Sequence, residues 1–238
     1  MNRYRQKAFT LMEMLIALLL TGLVMTLIFT SLRLTAKGWD AAERRQTQIA
    51  EQYQVQQLLR RLIGQARNER VRDVDSILQS AFRGDSDQLI FVAPARADSQ
   101  DASLLWYRLR LEPGEDDESA ALVLETRAFR SEEIVDWSLL FEEEPEVGLE
   151  EPLPAPRQSY RLMALSEPEL RFRYMHARPG ELAELSESWI ESNELPMRVD
   201  LMLTSDAEQS DTPVLLPAWQ ELSFSLKEYA YAVRVLGF

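Results

Sequence analysis

The chain has 238 residues, of which 46% are hydrophobic and 27% charged, with a formal net charge of −13, one histidine and no cysteine. That length allows one ordinary domain, or a domain with a long arm, and is ample for a hydrophobic core. Without cysteine there are no disulfides, Cys-ligated zinc, iron–sulfur clusters or thiol nucleophiles, and a lone His176 excludes a His-rich metal site. The acidic balance argues against nucleic acid as a partner, because most of the surface would repel a phosphate backbone.

The charge is unevenly placed. Between Glu112 and Glu151 stand 15 acidic residues and only two basic ones, Arg127 and Arg130, a local net of −13, so the rest of the chain balances. Ahead of Phe9, by contrast, are Arg3, Arg5 and Lys7 with no acid.

From Phe9 to Leu32 the sequence reads FTLMEMLIALLLTGLVMTLIFTSL, 24 residues with a single charge, Glu13. Such a helix is about 36 Å long, enough to cross a hydrocarbon core of about 30 Å. The basic leader favours a cytoplasmic N-terminus, against a small opposing contribution from Arg33 and Lys37. Most of the chain, from about residue 33, is then expected outside the cytoplasm. The far end of the apolar run lacks the small-residue cleavage site of a secretory signal peptide, whereas Ala8 stands just before its start. Glu13, one turn into the segment, is costly for a plain anchor unless a partner neutralises it.

Lys7-Ala8-Phe9-Thr10-Leu11-Met12-Glu13 resembles the class III signal of type IV pilins and type II secretion pseudopilins. That family has a short basic leader, a small residue at the cut, Phe as the first mature residue and Glu at the fifth. Gly is usual before the cut, where this chain has Ala8. The resemblance implies a prepilin peptidase cutting between Ala8 and Phe9 and methylating the Phe9 amine. It also implies a helix stored in the inner membrane before assembly, and Glu13 pairing with the Phe9 amine of a neighbouring subunit.

After the membrane segment, residues 33–70 read as an amphipathic helical arm. Ile49 and Tyr53, Leu58 and Leu62, and Leu59 and Ile63 are each four apart and share helix faces. These six residues are the candidate subunit-interface arm; the Leu58–Ile63 part also suits packing on the following domain. Gly38 and Gly64 weaken the helical pattern and are candidate bends.

Beyond residue 87 the period becomes that of strands. Leu89-Ile90-Phe91-Val92 precedes Pro94, and Leu105, Tyr107, Leu109 and Leu111 alternate with Trp106, Arg108 and Arg110. Leu170, Phe172 and Tyr174 alternate likewise, as do Val199, Leu201 and Leu203; 121–126 and 222–226 add further strands, and 229–236 reads as a strand or a tail. The acidic, proline-containing segment 142–156 reads as an exposed loop within an acidic region of 112–156, and it has no calcium-loop spacing.

The expected fold is therefore α+β: a pilin-like long N-terminal helix, half membrane and half amphipathic, packed on a mostly antiparallel β-sheet domain. The expected organisation is a leader at 1–8, a transmembrane helix at 9–32, the arm at 33–70 and a β-rich periplasmic domain at 71–238. Within the pilin-like class the chain resembles the J-type minor pseudopilins of type II secretion. The resemblance rests on the Gln/Arg-rich arm leading into Leu58-Leu59-Arg60-Arg61-Leu62, on Leu170–Tyr174 followed by Trp189, and on Leu195-Pro196-Met197-Arg198-Val199-Asp200-Leu201. It implies as partners the I-type and K-type minor pseudopilins, the major pseudopilin, the inner-membrane assembly platform and secreted substrates, with prepilin peptidase as processing enzyme. It implies no cofactor, metal or catalytic residue. A W-like minor pilin of a type IV pilus is the alternative.

A membrane-anchored periplasmic enzyme is the alternative of another class. His176 ends the 170–174 strand pattern, but no G-x-S-x-G motif accompanies it, and Ser166 and Ser186 stand in no nucleophile signature. Adjacent acids such as Asp116-Asp117 and Glu132-Glu133 are not placed across a cleft by their spacing.

Overall fold

A computed structural model of the chain describes residues 11–95, 103–114, 119–142, 157–166, 168–176, 182–204 and 217–227. Ala8, Phe9, the segment 143–156 and the residues 229–236 lie outside these ranges.

One helix, α1, spans Leu11–Gly64. It continues through Gly38, where an added Cβ would meet nothing within 4 Å. Its C-terminus tightens, with Gln65 N–H donating to Leu62 O and Ala66 N–H to Ile63 O, both at 3.1 Å. Arg67 N–H then donates to Val92 O at 2.8 Å, so the chain turns directly onto a strand. Backbone contacts divide the chain into two units between Ile49 and Ala50.

Twelve strands follow among the described residues: β1 Arg70–Asp73, β2 Leu78–Ser80, β3 Phe82–Gly84, β4 Gln88–Pro94, β5 Leu104–Pro113, β6 Ser119–Ala128, β7 Ile134–Val135, β8 Gln158–Ser166, β9 Glu169–His176, β10 Glu184–Ser186, β11 Arg198–Thr204 and β12 Leu222–Ser225. They form a five-stranded sheet in the order β3-β4-β5-β6-β8, a four-stranded sheet β10-β9-β11-β12 and a three-stranded sheet β2-β1-β7. All pairings are antiparallel except β1 with β7. The architecture is α+β, an N-terminal apolar helix with antiparallel sheets in a pilin-like layout.

The five-stranded sheet is covered on both faces. On one, Leu89, Phe91, Tyr107, Leu109, Leu122 and Leu124 join a core that also holds Leu59, Leu62 and Ile63 of α1 and the inner face of the four-stranded sheet. On the other, Ile90, Val92 and Trp106 pack with Val71, Val135, Leu140 and Phe141. Double coverage explains why Leu89–Val92 is a continuous apolar run rather than an alternation. The alternation along β5 thus puts Trp106, opposite in phase to Tyr107 and Leu109, in the second core. In the four-stranded sheet Leu170 faces Leu203, Phe172 faces Leu201 and Tyr174 faces Val199, and all six are buried.

The α1 turns that meet the domain carry a surprise for their composition. Gln52 and Gln56 are buried on the same side as Leu59 and Ile63, at spacings of one helical face. Glutamine polarity alone would have placed them in water.

Where the two larger sheets meet, Gly84 and Trp189 form an isolated bridge, with Gly84 N–H donating to Trp189 O at 3.0 Å and Trp189 N–H to Gly84 O at 2.8 Å. The Tyr174 hydroxyl donates to Asp85 O at 2.9 Å. A Cβ on Gly84 would stand 1.9 Å from that hydroxyl oxygen, so the close approach requires glycine.

The acidic stretch is not all surface. Glu125, in β6, has no exposed area, and Arg108, Arg110 and Arg157 converge on its carboxylate. Arg108 also lies over the Phe141 ring at 4.7 Å from its centroid. Burial pushes the Glu125 carboxyl up, but the hydrogen bonds and charges of Arg108 and Arg110 outweigh it and hold the group below the ordinary glutamate range. The stability this contributes is complete above that ordinary range and is lost as pH falls through the depressed one.

Two outcomes follow for the domain. Phe172→Ala should lower unfolding stability by about 3–5 kcal/mol, read as a shifted denaturant midpoint. Glu125→Gln leaves three guanidiniums without their shared anion and should cost about 3 kcal/mol at neutral pH. Thermal melts from pH 7 down to pH 3 should also show a flatter pH dependence for this variant than for the parent chain.

Candidate functional site

The N-terminal part of α1 is apolar all round. Leu18, Leu20, Leu23, Leu27, Phe29 and Leu34 all remain exposed. A soluble helix normally keeps one polar side for water. Here the segment is long and apolar enough to cross a membrane, and Leu11–Leu32 rises about 33 Å, close to the thickness of a hydrocarbon core.

Its few polar side chains are arranged for an apolar environment. The hydroxyls of Thr21, Thr26 and Thr30 donate to the carbonyls of Ala17, Gly22 and Thr26 at 2.7, 2.9 and 2.7 Å. Each hydroxyl is satisfied four residues back along its own helix, which lets it face lipid without an unmet donor. Glu13 lies in the first turn of α1.

The arm residues separate by environment. Ile49 and Tyr53 are exposed at 42% and 58%. Leu58 is half-buried and packs against the core, while Leu59, Leu62 and Ile63 are core members of the domain. Each aliphatic side chain so buried contributes roughly 1.5–3 kcal/mol of transfer free energy.

His176 lies at the end of β9, its ring 5.5 Å from that of Trp189. Both line an open cavity of about 560 Å³ with Glu184, Glu191 and Glu194. The Ser186 hydroxyl donates to Ser188 O at 2.8 Å, and among the described residues no hydrogen bond joins a serine to His176. Nor, among those residues, does any group of three or more His, Asp or Glu side chains have the placement to hold a metal ion.

Residues 3–29 match the prokaryotic N-terminal methylation motif. The motif indicates a type IV pilin-like protein, pilin or pseudopilin. It covers the basic leader and most of the apolar segment, and it implies processing by a prepilin peptidase and assembly with other pilins. It points to a structural rather than a catalytic protein. The single N-terminal apolar helix is compatible with single-pass anchoring of a prepilin-like chain. No curated protein is significantly similar to this chain.

Sequence reasoning missed the buried Glu125 cluster and the buried glutamines of the arm. The run of Arg108 and Arg110 in one strand, in phase with each other, was the available signal for the first. For the second, the signal was the spacing of Gln52 and Gln56 in phase with Leu59 and Ile63.

Replacing Leu20 and Leu23 together by arginine should move the full chain from the carbonate-resistant membrane fraction into the soluble fraction, since each charge costs about 2.5–3.5 kcal/mol at a helix centre. Unchanged membrane retention would contradict a spanning role.

Proposed function

We propose that this protein is a J-type minor pseudopilin of type II secretion, a low-copy subunit at or near the pseudopilus tip. In this role it helps initiate assembly and the export of folded proteins across the outer membrane. The observation that carries the reading is the joining of a prepilin-type N-terminus and a wholly exposed apolar helix to a large cysteine-free β domain. A helix of that kind supplies a repeated fibre-packing element, and the domain supplies far more surface than a fibre shaft needs.

The role fixes the remaining assignments. The leader is 1–8, prepilin peptidase cuts between Ala8 and Phe9, and the Phe9 amine is methylated. Residues 9–32 span the inner membrane with the N-terminus cytoplasmic, and the arm (33–70) and domain (71–238) are periplasmic. Glu13 offsets the Phe9 amine of a neighbouring subunit, where low dielectric strengthens the attraction. Along the arm, Ile49 and Tyr53 meet another subunit's helix, while Leu58, Leu59, Leu62 and Ile63 hold the arm to its own domain. The partners are I-type and K-type minor pseudopilins, the major pseudopilin and the assembly platform. The strand containing Val199 and Leu201, at the centre of the four-stranded sheet, supports the resemblance of the Leu-Pro segment that precedes it.

Affinity isolation of the full chain from its cells, with mass spectrometry of the N-terminal peptide and of copurifying subunits, tests the reading. The expected result is a chain that begins at methylated Phe9 and copurifies with I-type and K-type pseudopilins. Retention of residues 1–8 in the assembled population would defeat the processing step, and exclusive recovery of type IV pilus minor pilins would favour a W-like role in pilus assembly. Glu13→Gln should leave membrane insertion intact and reduce recruitment; normal recruitment would make the charge dispensable.

A further inference from the structure

The three-stranded sheet β2-β1-β7 turns one face to the second core, through Val71 and Val135, and the other to solvent. Alternation along β1 places Val71 and Asp73 inside and Arg70 and Arg72 outside. Arg72 is paired with Leu78 on one side and with Ile134 on the other. An arginine therefore sits between two aliphatic side chains in a single row across the sheet. Ile134 is 64% and Leu78 45% exposed, and Val74, just past β1, is 60% exposed. Exposed apolar residues scattered singly need no explanation, but aliphatic residues gathered on one small sheet mark a contact surface.

The charges on this face say what kind of contact. Other arginines of the domain, Arg108, Arg110, Arg127 and Arg157, each reach a carboxylate. Arg70 and Arg72 have no ion-pair partner among the described residues, in a chain with a surplus of 13 acids. Asp73, the one acid within β1, points inward and is engaged by Gln79 Nε2 at 2.8 Å and by Ile77 N–H at 2.8 Å. The outward face thus presents guanidinium donors on an aliphatic ground, complementary to carboxylates set beside aliphatic side chains.

We infer that the outward face of the β2-β1-β7 sheet is a docking surface for a partner protein that presents aliphatic side chains flanked by Asp or Glu. The aliphatic row supplies apolar area, and Arg70 and Arg72 fix register through carboxylate contacts. An anionic membrane surface fits less well, because a flat layer of headgroups would face the exposed Asp75 and Glu132 of the turns bordering this sheet as well as Arg70 and Arg72, whereas a protein can set its carboxylates opposite the arginines alone.

The test is site-specific photocrosslinking of the full chain in its own cells, with the photoreactive residue at position 78 or 134 and a control at exposed position 182. Positions 78 and 134 should give a discrete protein adduct that the control does not. Mass spectrometry of the crosslinked partner peptide should find aliphatic residues within a few positions of Asp or Glu. Arg72→Glu should lower adduct yield about tenfold, as expected for reversing one interfacial charge, while Arg72→Lys retains most of it. Because Arg72 is exposed, both variants should melt with the parent chain; if Arg72→Glu does not, Arg70→Glu carries the same comparison. An adduct no stronger than the control, an adduct with lipid alone, a partner peptide without acidic residues, or a yield indifferent to charge reversal in a folded variant would overturn the inference.

Discussion

Between Leu11 and Leu34 the chain sets leucine, isoleucine, methionine and phenylalanine around the whole circumference of a helix and leaves them exposed. Water is a poor solvent for such a surface, since each buried aliphatic side chain is worth roughly 1.5–3 kcal/mol relative to exposure. The segment therefore has to be covered from outside the chain, by lipid, by other helices, or by each in turn. Threonine hydroxyls bonded back to their own helix keep the segment compatible with either environment. Lipid and the packing of other helices are two solutions of this one constraint.

The domain meets the opposite requirement, because its apolar side chains find their cover within the chain. Its core draws on the last turns of α1, from Leu59 to Ile63, which are built into the packing between the two larger sheets. Arg67 N–H then closes directly onto β4. A second core on the far side of the five-stranded sheet, around Trp106 and Phe141, is bordered by the Glu125 cluster. That cluster ties β5, β6 and the start of β8 through one buried anion. Removing the anion is far more costly than its formal share of the interactions suggests, because the arginines around it are already partly desolvated.

The resulting surface is unequal. Most of the domain's strands turn their apolar faces inward. The small β2-β1-β7 sheet departs from this by exposing aliphatic side chains around arginines that have no ion-pair partner among the described residues. Such a face is stable only because the sheet's inner side, through Val71 and Val135, is anchored in the second core.

The apolar N-terminal segment was legible in the sequence because its signal is local: a basic leader, a small residue, Phe9, Glu13 and an uninterrupted apolar run need no tertiary partner to be recognised. The β9 and β11 alternations were legible for the same reason, as period two with one buried face leaves little freedom of register. The shortest strands, β2, β3, β7 and β10, carry too few residues to show a period, and they exist because neighbouring chain segments pair with them. Burial of Gln52, Gln56 and Glu125 was likewise undetermined by composition, since it depends on what lies opposite each side chain across the fold. The sequence by itself determined that this protein has an apolar helix needing outside cover and a β domain with its own core. Only the tertiary structure decided which arm residues that core claims, which leave the helix surface open, and where arginine is left without an acid, because each of these is a property of residues far apart in the chain.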